Sequence, residues 1–229
     1  MSEKEVYIIS LGGSLVVPPS GIDWKFLKGF RKLILKEIGK GRKFFIIVGG
    51  GSTCRNYNEA ARKAAKVNRV GLDWLGIEST RLNAHLLLTI FSGLAHPKIV
   101  RDPAEAVKTK KKIIISGGWK PGWSTDYMAV ALARKYKIKT LINLSNVDYV
   151  YTCDPKKYKN AKPIKKINWN DFRKIVGDKW NPGLNAPFDP VASRLAEKLG
   201  LEVIIMNGKK LDNLENYLVG KKFKGTTIK

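Results

Sequence analysis

The sequence predicts an α/β protein, a three-layer αβα sandwich around a mainly parallel central sheet. Three observations predict it. Short runs of consecutive apolar, often β-branched residues alternate with longer stretches of helical periodicity. The apolar runs lack a polar residue at every second position, as expected of strands covered on both faces. Three of these runs end directly in glycines, at Gly12-Gly13, Gly49-Gly50-Gly51 and Gly117-Gly118. Strands that alternate with helices imply a parallel sheet with helices on either side.

The first strand is Val6-Tyr7-Ile8-Ile9. A helix follows over 23–40, with Phe26, Phe30, Leu33, Ile34 and Ile38 three and four apart and Asp23 as N-cap. Phe44-Phe45-Ile46-Ile47-Val48 is the second strand, and an alanine-rich helix over 53–67 follows it. A further helix spans 79–95. Ile113-Ile114-Ile115 is the third strand, 125–136 a helix, and Thr140-Leu141-Ile142-Asn143-Leu144 the fourth strand. Short helices cover 171–176 and 190–199, Val203-Ile204-Ile205-Met206 is a late strand, and 211–219 is helical. Asp171 and Asp212 read as helix caps. The polar, irregular stretches 151–166 and 177–189 read as loops over a site. With no Ser-, Gly- or Pro-rich linker and no repeat, residues 1–229 read as one domain.

Composition narrows the function. No apolar run is long enough for a bilayer, and the start lacks the features of a signal peptide, so a cytoplasmic protein is expected. Cys54 and Cys153 form no CxxC pattern, which argues against zinc and against a disulfide framework. His85 and His96 are the only histidines and read as structural. The formal charge of +24 raises the question of nucleic acid. The lysines, however, fall in short runs such as Lys108 to Lys112 and Lys221-Lys222, where loops and helix ends belong, and not in a stripe with interleaved aromatics. Nucleic acid is therefore not the expected partner, although the charge would draw in anionic nucleotides.

Glycine at a strand end lets a polyanion approach the backbone, whose amides donate to phosphate oxygens. The following helix adds its N-terminal partial charge. The usual fingerprints are absent: no GxxxxGK[ST], no GxGxxG after the first strand, no GxSxG. A polar set lies near the same strand ends: Arg55, Asp73, Arg81, Asn83, Asp126, Asn146, Asp148, Asp154 and Asp189. Phosphoryl transfer needs such a set, with cations and amides around the moving group and carboxylates to orient a metal or a lysine. Asp126 and Asp189 each precede a helix, so capping explains them as well as chemistry does at this level.

These residues carry a resemblance. In order they are Gly12-Gly13-Ser14; Gly49-Gly50-Gly51 with Arg55; Asp73 with Gly76-Ile77 and Thr80-Arg81-Leu82-Asn83-Ala84; Gly117-Gly118-Trp119-Lys120-Pro121-Gly122-Trp123-Ser124-Thr125-Asp126; Ser145-Asn146-Val147-Asp148-Tyr149-Val150-Tyr151 with Asp154-Pro155; Asp189-Pro190-Val191-Ala192; and Gly225-Thr226-Thr227-Ile228. Together they resemble the amino acid kinase superfamily, and within it the archaeal-type UMP kinases, over nearly the whole chain. The resemblance implies the amino acid kinase fold and transfer of a phosphoryl group from ATP to UMP. It implies that Gly13, Ser14, Gly51 and Arg55 hold the ATP phosphates, and that Ser145, Asn146, Tyr151 and Asp154 line the ATP nucleoside site. Gly50 and Asp73 would face UMP, which the loop Trp119, Lys120, Pro121, Gly122, Trp123, Ser124 and Thr125 would wrap. Arg55, Asp126 and Asp189 would be the catalytic set, with Mg²⁺ entering on ATP and no direct protein ligand, in a homo-oligomer, a hexamer by resemblance.

The chain departs from the superfamily in having no lysine beside Gly12, as archaeal-type UMP kinases also do. Arg55 is the candidate replacement, with Lys179 from the 177–189 stretch a second. Tyr149 stands where the family usually has glycine, and Ser145 where it commonly has threonine. Two alternatives remain. One is a kinase of the same fold with another acceptor, such as isopentenyl phosphate, which would want a histidine near the phosphate loops. The other is a non-catalytic nucleotide- or oxoanion-binding protein.

Overall fold

A computed structural model describes residues 6–105, 107–155, 157–177 and 186–229. Its first half runs β1 (Val6–Leu11), α1 (Gly13–Val16), α2 (Trp24–Gly39), β2 (Lys43–Val48), α3 (Gly51–Ala64), α4 (Arg69–Ile90), β3 (Ile113–Ser116) and α5 (Thr125–Tyr136). The second half runs β4 (Thr140–Ser145), β5 (Val150–Tyr151), β6 (Pro163–Ile164), β7 (Lys166–Ile167), α6 (Trp169–Val176), α7 (Pro190–Lys198), β8 (Glu202–Asn207), α8 (Leu211–Leu218) and β9 (Thr226–Ile228).

Seven strands form one sheet in the order β3-β2-β1-β4-β8-β9-β7. All neighbours are parallel except β8 and β9. β5 and β6 form a separate antiparallel pair. The register sets Leu11 beside Val48 and Leu144, so the glycines after β1 and β2 and the turn after β4 meet at one edge. A parallel sheet gathers its ligands at that carboxyl edge.

Alternate strand residues enter different cores. Ile9, Leu11, Phe44, Ile46, Val48, Ile142 and Leu144 pack with α2, the second half of α4 and α8 through Phe30, Ile34, Leu87, Phe91 and Leu214. Ile8, Phe45, Ile47, Ile114, Leu141, Val203 and Ile205 pack on the other face with Met128, Leu132, Phe172, Ala192 and Ala196 of α5, α6 and α7. The two cores on opposite faces make the three-layer αβα arrangement that the apolar runs predict.

Several boundaries differ from the sequence reading. α4 begins at Arg69 rather than 79, because the Asn68 side chain accepts from the Gly71 amide at 2.8 Å and caps it. Gly71 and Gly76 disguise that first part of the helix. Asp23 caps α2, accepting from Phe26 at 2.9 Å. Asp171 is not a cap: Asn168 caps α6, and Asp171 lies in its first turn. Asp212 likewise lies inside the first turn of α8, whose N-cap position is Lys210. Both carboxylates still face the positive helix end. β5, β6, β7 and β9 have two or three residues each, too few for a period to show. Tyr149 carries no left-handed strain, since Lys137 is the single non-glycine residue with positive φ among those described. Among the described residues no helix is long and apolar enough to cross a membrane.

Candidate functional site

The glycine ends of β1 and β2 are packed backbone against backbone. A Cβ on Gly13 would lie 2.1 Å from the Gly51 nitrogen, and one on Gly51 would lie 2.4 Å from the Gly13 oxygen. Gly51 also has φ +63, a conformation that disfavours any side chain. Glycine is thus required for the two loops to fit together, apart from anything they bind. Gly50 is the N-cap position of α3 without a side-chain bond, and Ser14 lies in the one-turn α1.

α4 ties the loops together. Asn83 donates to the Gly49 and Gly50 carbonyls at 2.8 and 3.1 Å. Thr80 Oγ1 accepts from the Gly118 amide at 2.6 Å, and Arg81 donates to the Trp119 carbonyl at 3.0 Å. Asp73 Oδ2 accepts from the Gly122 amide at 2.9 Å. One helix therefore fixes the end of β2, the end of β3 and the 119–125 loop. Arg81 and Asn83 stood out in the sequence without a role; the contacts supply one.

Between α3, α4 and that loop lies a cavity of about 600 Å³. Its wall includes Arg55, Asp73, Lys120, Trp123, Ser124 and Thr125 from the sequence-predicted set. Cys54, Asn58, Arg62 and Thr80 also line it. Asn58 and Arg62 were missed in the sequence; they stand three and seven residues beyond Arg55 on α3 and share a helix face with it. Neither Arg55 nor Arg62 has an ion pair or hydrogen bond with the described residues. Trp119 packs into the α5 side of the sheet, parallel to Tyr127 at 6.4 Å, and Lys120 lies 4.2 Å from its ring centre. Trp123 contacts Tyr127 at 4.0 Å between ring centres, so the aromatics brace the loop from beneath. Cys54 and Cys153 are free and partly buried.

At the strand ends beside this cavity stand two aspartates. Asp126 Oδ1 accepts from the Ser10 hydroxyl at 2.8 Å and from Asn143 at 3.5 Å, while Oδ2 accepts from the Asp189 amide at 3.2 Å. Asp126 is partly exposed as a residue, yet protein surrounds its carboxyl. Burial, and then the charge of Asp189, pushes its pKa up to about 7. Asp189 caps α7, accepting from Ala192 at 2.6 Å. Burial raises its pKa also, against the Ala192 amide, the Ser124 hydroxyl and the Val191 amide. Its Oδ2 is buried and makes no hydrogen bond with the described residues. Asp126 is not a cap, since Ser124 takes that position on α5. Ser10 and Asn143, which hold Asp126, carried no signal in the sequence.

The remaining predicted residues sit beyond β4. Ser145 Oγ accepts from the Val147 amide at 3.3 Å, and Asn146 is exposed. Tyr151 meets Tyr149 edge to face at 6.4 Å. The Asp154 carbonyl accepts from the amides of Lys157 and Tyr158. Asp148 accepts from Asn207 and Lys210, which joins the ends of β4 and β8. These groups lie apart from the α3–α4 cavity, across the paired aspartates. Lys179 lies outside the described residues. His96 bonds through its amide to Ile113, at the opposite end of β3, and His85 is exposed on α4. Neither histidine lines the cavity.

Comparison with known proteins gives a consistent result. Residues 5–207 match the model of the amino acid kinase family. The uridylate kinase of Pyrococcus abyssi is 36% identical over 96% of this chain and 98% of its own. That of Methanospirillum hungatei is 34% identical over 96% of this chain and 93% of its own. Among solved structures, the uridylate kinase of Archaeoglobus fulgidus superposes with a TM-score of 0.81 at 30% identity, covering 97% of this chain and 99% of that one.

Proposed function

The chain belongs to the amino acid kinase family, and on that premise we propose that it is a uridylate kinase, transferring the γ-phosphoryl of ATP to UMP to give UDP and ADP. One observation carries this reading to the site. An acceptor cavity with an uncommitted guanidinium, Arg55, opens beside a buried aspartate pair at the glycine-rich edge of the sheet. A phosphate monoester is already a good nucleophile, so the chain has to position and neutralise it more than to activate it.

Arg55 and the amides of the Gly49–Gly51 turn draw the two phosphates together, in place of the lysine absent beside Gly12. Gly13, Ser14 and Gly51 hold the ATP phosphates from the β1 side, and Gly50 faces the acceptor. Asp73 presents its carboxylate to the ribose hydroxyls while keeping Gly122 in place. Lys120, Trp123, Ser124 and Thr125 close over UMP, with Trp119, Pro121 and Gly122 as the frame of that loop. Ser145, Asn146, Tyr151 and Asp154 receive the ATP nucleoside. Asp126 and Asp189 order the phosphate-binding groups from within the fold. Mg²⁺ bound with ATP would neutralise charge on the moving phosphoryl.

We read the whole chain as one catalytic unit, working in the cytoplasm as a homo-oligomer. Three apolar residues of α4 are available to a partner copy: Val70, Trp74 and Leu82 are 54%, 44% and 61% exposed. The test of the activity is turnover of UMP, CMP, AMP and isopentenyl phosphate by the purified protein with Mg-ATP. UMP is expected to be the preferred acceptor. Absence of UDP formation would sink the proposal, and preference for isopentenyl phosphate would replace it.

A further inference from the structure

The central strands β1 and β4 are apolar through the core, yet each carries one buried polar residue. Ser10 and Asn143 are 4% and 5% exposed. They are direct neighbours across the two strands. Ile8 and Leu141, two residues before them, enter the core on the α5 side, so Ser10 and Asn143 face that side too. A polar side chain there costs free energy unless it is hydrogen-bonded, and an apolar one would avoid the cost. Both turn to the same acceptor. Ser10 donates to Asp126 Oδ1 at 2.8 Å and Asn143 to the same oxygen at 3.5 Å. Asn143 also donates to the Pro187 carbonyl at 3.3 Å, and Asp126 Oδ2 accepts from the Asp189 amide. The end of β1, the middle of β4 and the start of α7 therefore meet on one carboxylate.

We propose that Ser10 is a positioning residue for phosphoryl transfer: its hydroxyl holds the Asp126 carboxylate in its accepting, charged form and through it ties the glycine end of β1 to the first turn of α7. The hydrogen-bond partners of Asp126 are all donors, which suits a carboxylate and not a carboxylic acid, whose own proton needs an acceptor. Burial and the charge of Asp189 oppose that form, and Arg194 of α7 offsets part of the Asp189 charge. With no lysine beside Gly12, the Ser10 hydroxyl is the closest donor that Asp126 has. A hydrogen bond to the charged form lowers the pKa of the acid, and Ser10 acts on Asp126 in that direction. The role in transfer rests on the uridylate kinase reading above.

The test is kcat for UDP formation against pH, with saturating UMP and Mg-ATP, in the wild type, Ser10→Ala and Ser10→Thr. Loss of the bond raises the Asp126 pKa, so the acid limb of Ser10→Ala is expected to move up by about one pH unit, with activity regained at higher pH. Ser10→Thr keeps the hydroxyl and is expected to keep the wild-type limb. Ser10→Cys, a weaker donor, gives a shift in the same direction if the alanine variant does not fold. Urea unfolding reads the same carboxyl without catalysis. The stability that Asp126 contributes is lost as pH rises through about 7 in the wild type, and that loss is expected at higher pH in Ser10→Ala. An acid limb and an unfolding profile that both keep their wild-type pH in the folded variant overturn the proposal, whatever the overall loss of stability. A wild type that forms no UDP overturns the uridylate kinase reading and the role in transfer with it, and the unfolding profile then decides whether Ser10 governs Asp126.

Discussion

Arg55 and Asp126 are the residues on which the proposed chemistry turns, and they make separate predictions. Arg55 is an exposed guanidinium on the cavity wall. Replacing it with alanine should lower kcat/KM for UMP by about a hundredfold or more, the loss typical of removing a donor aimed at transition-state charge, while thermal stability stays near the wild type. Steady-state kinetics beside a thermal melt checks this. Asp126 has a folded-state pKa raised from 3.8 to about 7. A raised acid binds more protons folded than unfolded, so its contribution to stability is fully present below about 4 and is lost as pH rises through about 7. Asp126→Asn removes that dependence. Relative to the wild type, the variant should gain stability steadily between pH 4 and pH 7, measured by urea unfolding, and should lose phosphoryl transfer. A difference in stability independent of pH would show that Asp126 is ionised throughout.

At the scale of elements, α4 is the scaffold of the site. Thr80 receives the buried Gly118 amide at 2.6 Å. Thr80→Val keeps the shape and removes the acceptor, so it should destabilise the fold by about 1–3 kcal/mol and raise KM for UMP through a loosened 119–125 loop. Unchanged unfolding with unchanged KM would show that another group satisfies Gly118. Much of this scale was legible in the sequence. The strands from Val6, Phe44, Ile113, Thr140 and Val203 were visible because each is buried on both faces, and Asp23 marked its helix. The beginning of α4 was not, because Gly71 and Gly76 weaken the periodicity and the cap is Asn68, three residues before the first glycine. Arg55, Asp73 and the aspartates were visible as polar residues at strand ends. Asn58 and Arg62 were hidden, because a polar face on an exposed helix resembles ordinary solvated surface until a second helix closes against it.

The whole molecule is a basic sheet sandwich whose carboxyl edge carries the two regions proposed for nucleotides, one between α3 and α4 and one beyond β4, with Asp126 and Asp189 between them. Its net charge of +24 favours capture of anions, so association of ATP and UMP should weaken as salt rises. The exposed apolar residues of α4 make a prediction for assembly. A charge at Trp74, as in Trp74→Glu, should shift the protein to a smaller species in analytical ultracentrifugation, and an unmoved sedimentation coefficient would place the interface elsewhere. The two-region arrangement itself is tested most directly by a crystal structure with UMP and a non-hydrolysable ATP analogue bound together. The arrangement predicts the UMP phosphate at Arg55 with its ribose on Asp73, and the γ-phosphate of the analogue facing it beside Asp126 and Asp189. UMP bound beyond β4, or both nucleotides on the same side of the aspartate pair, would contradict it.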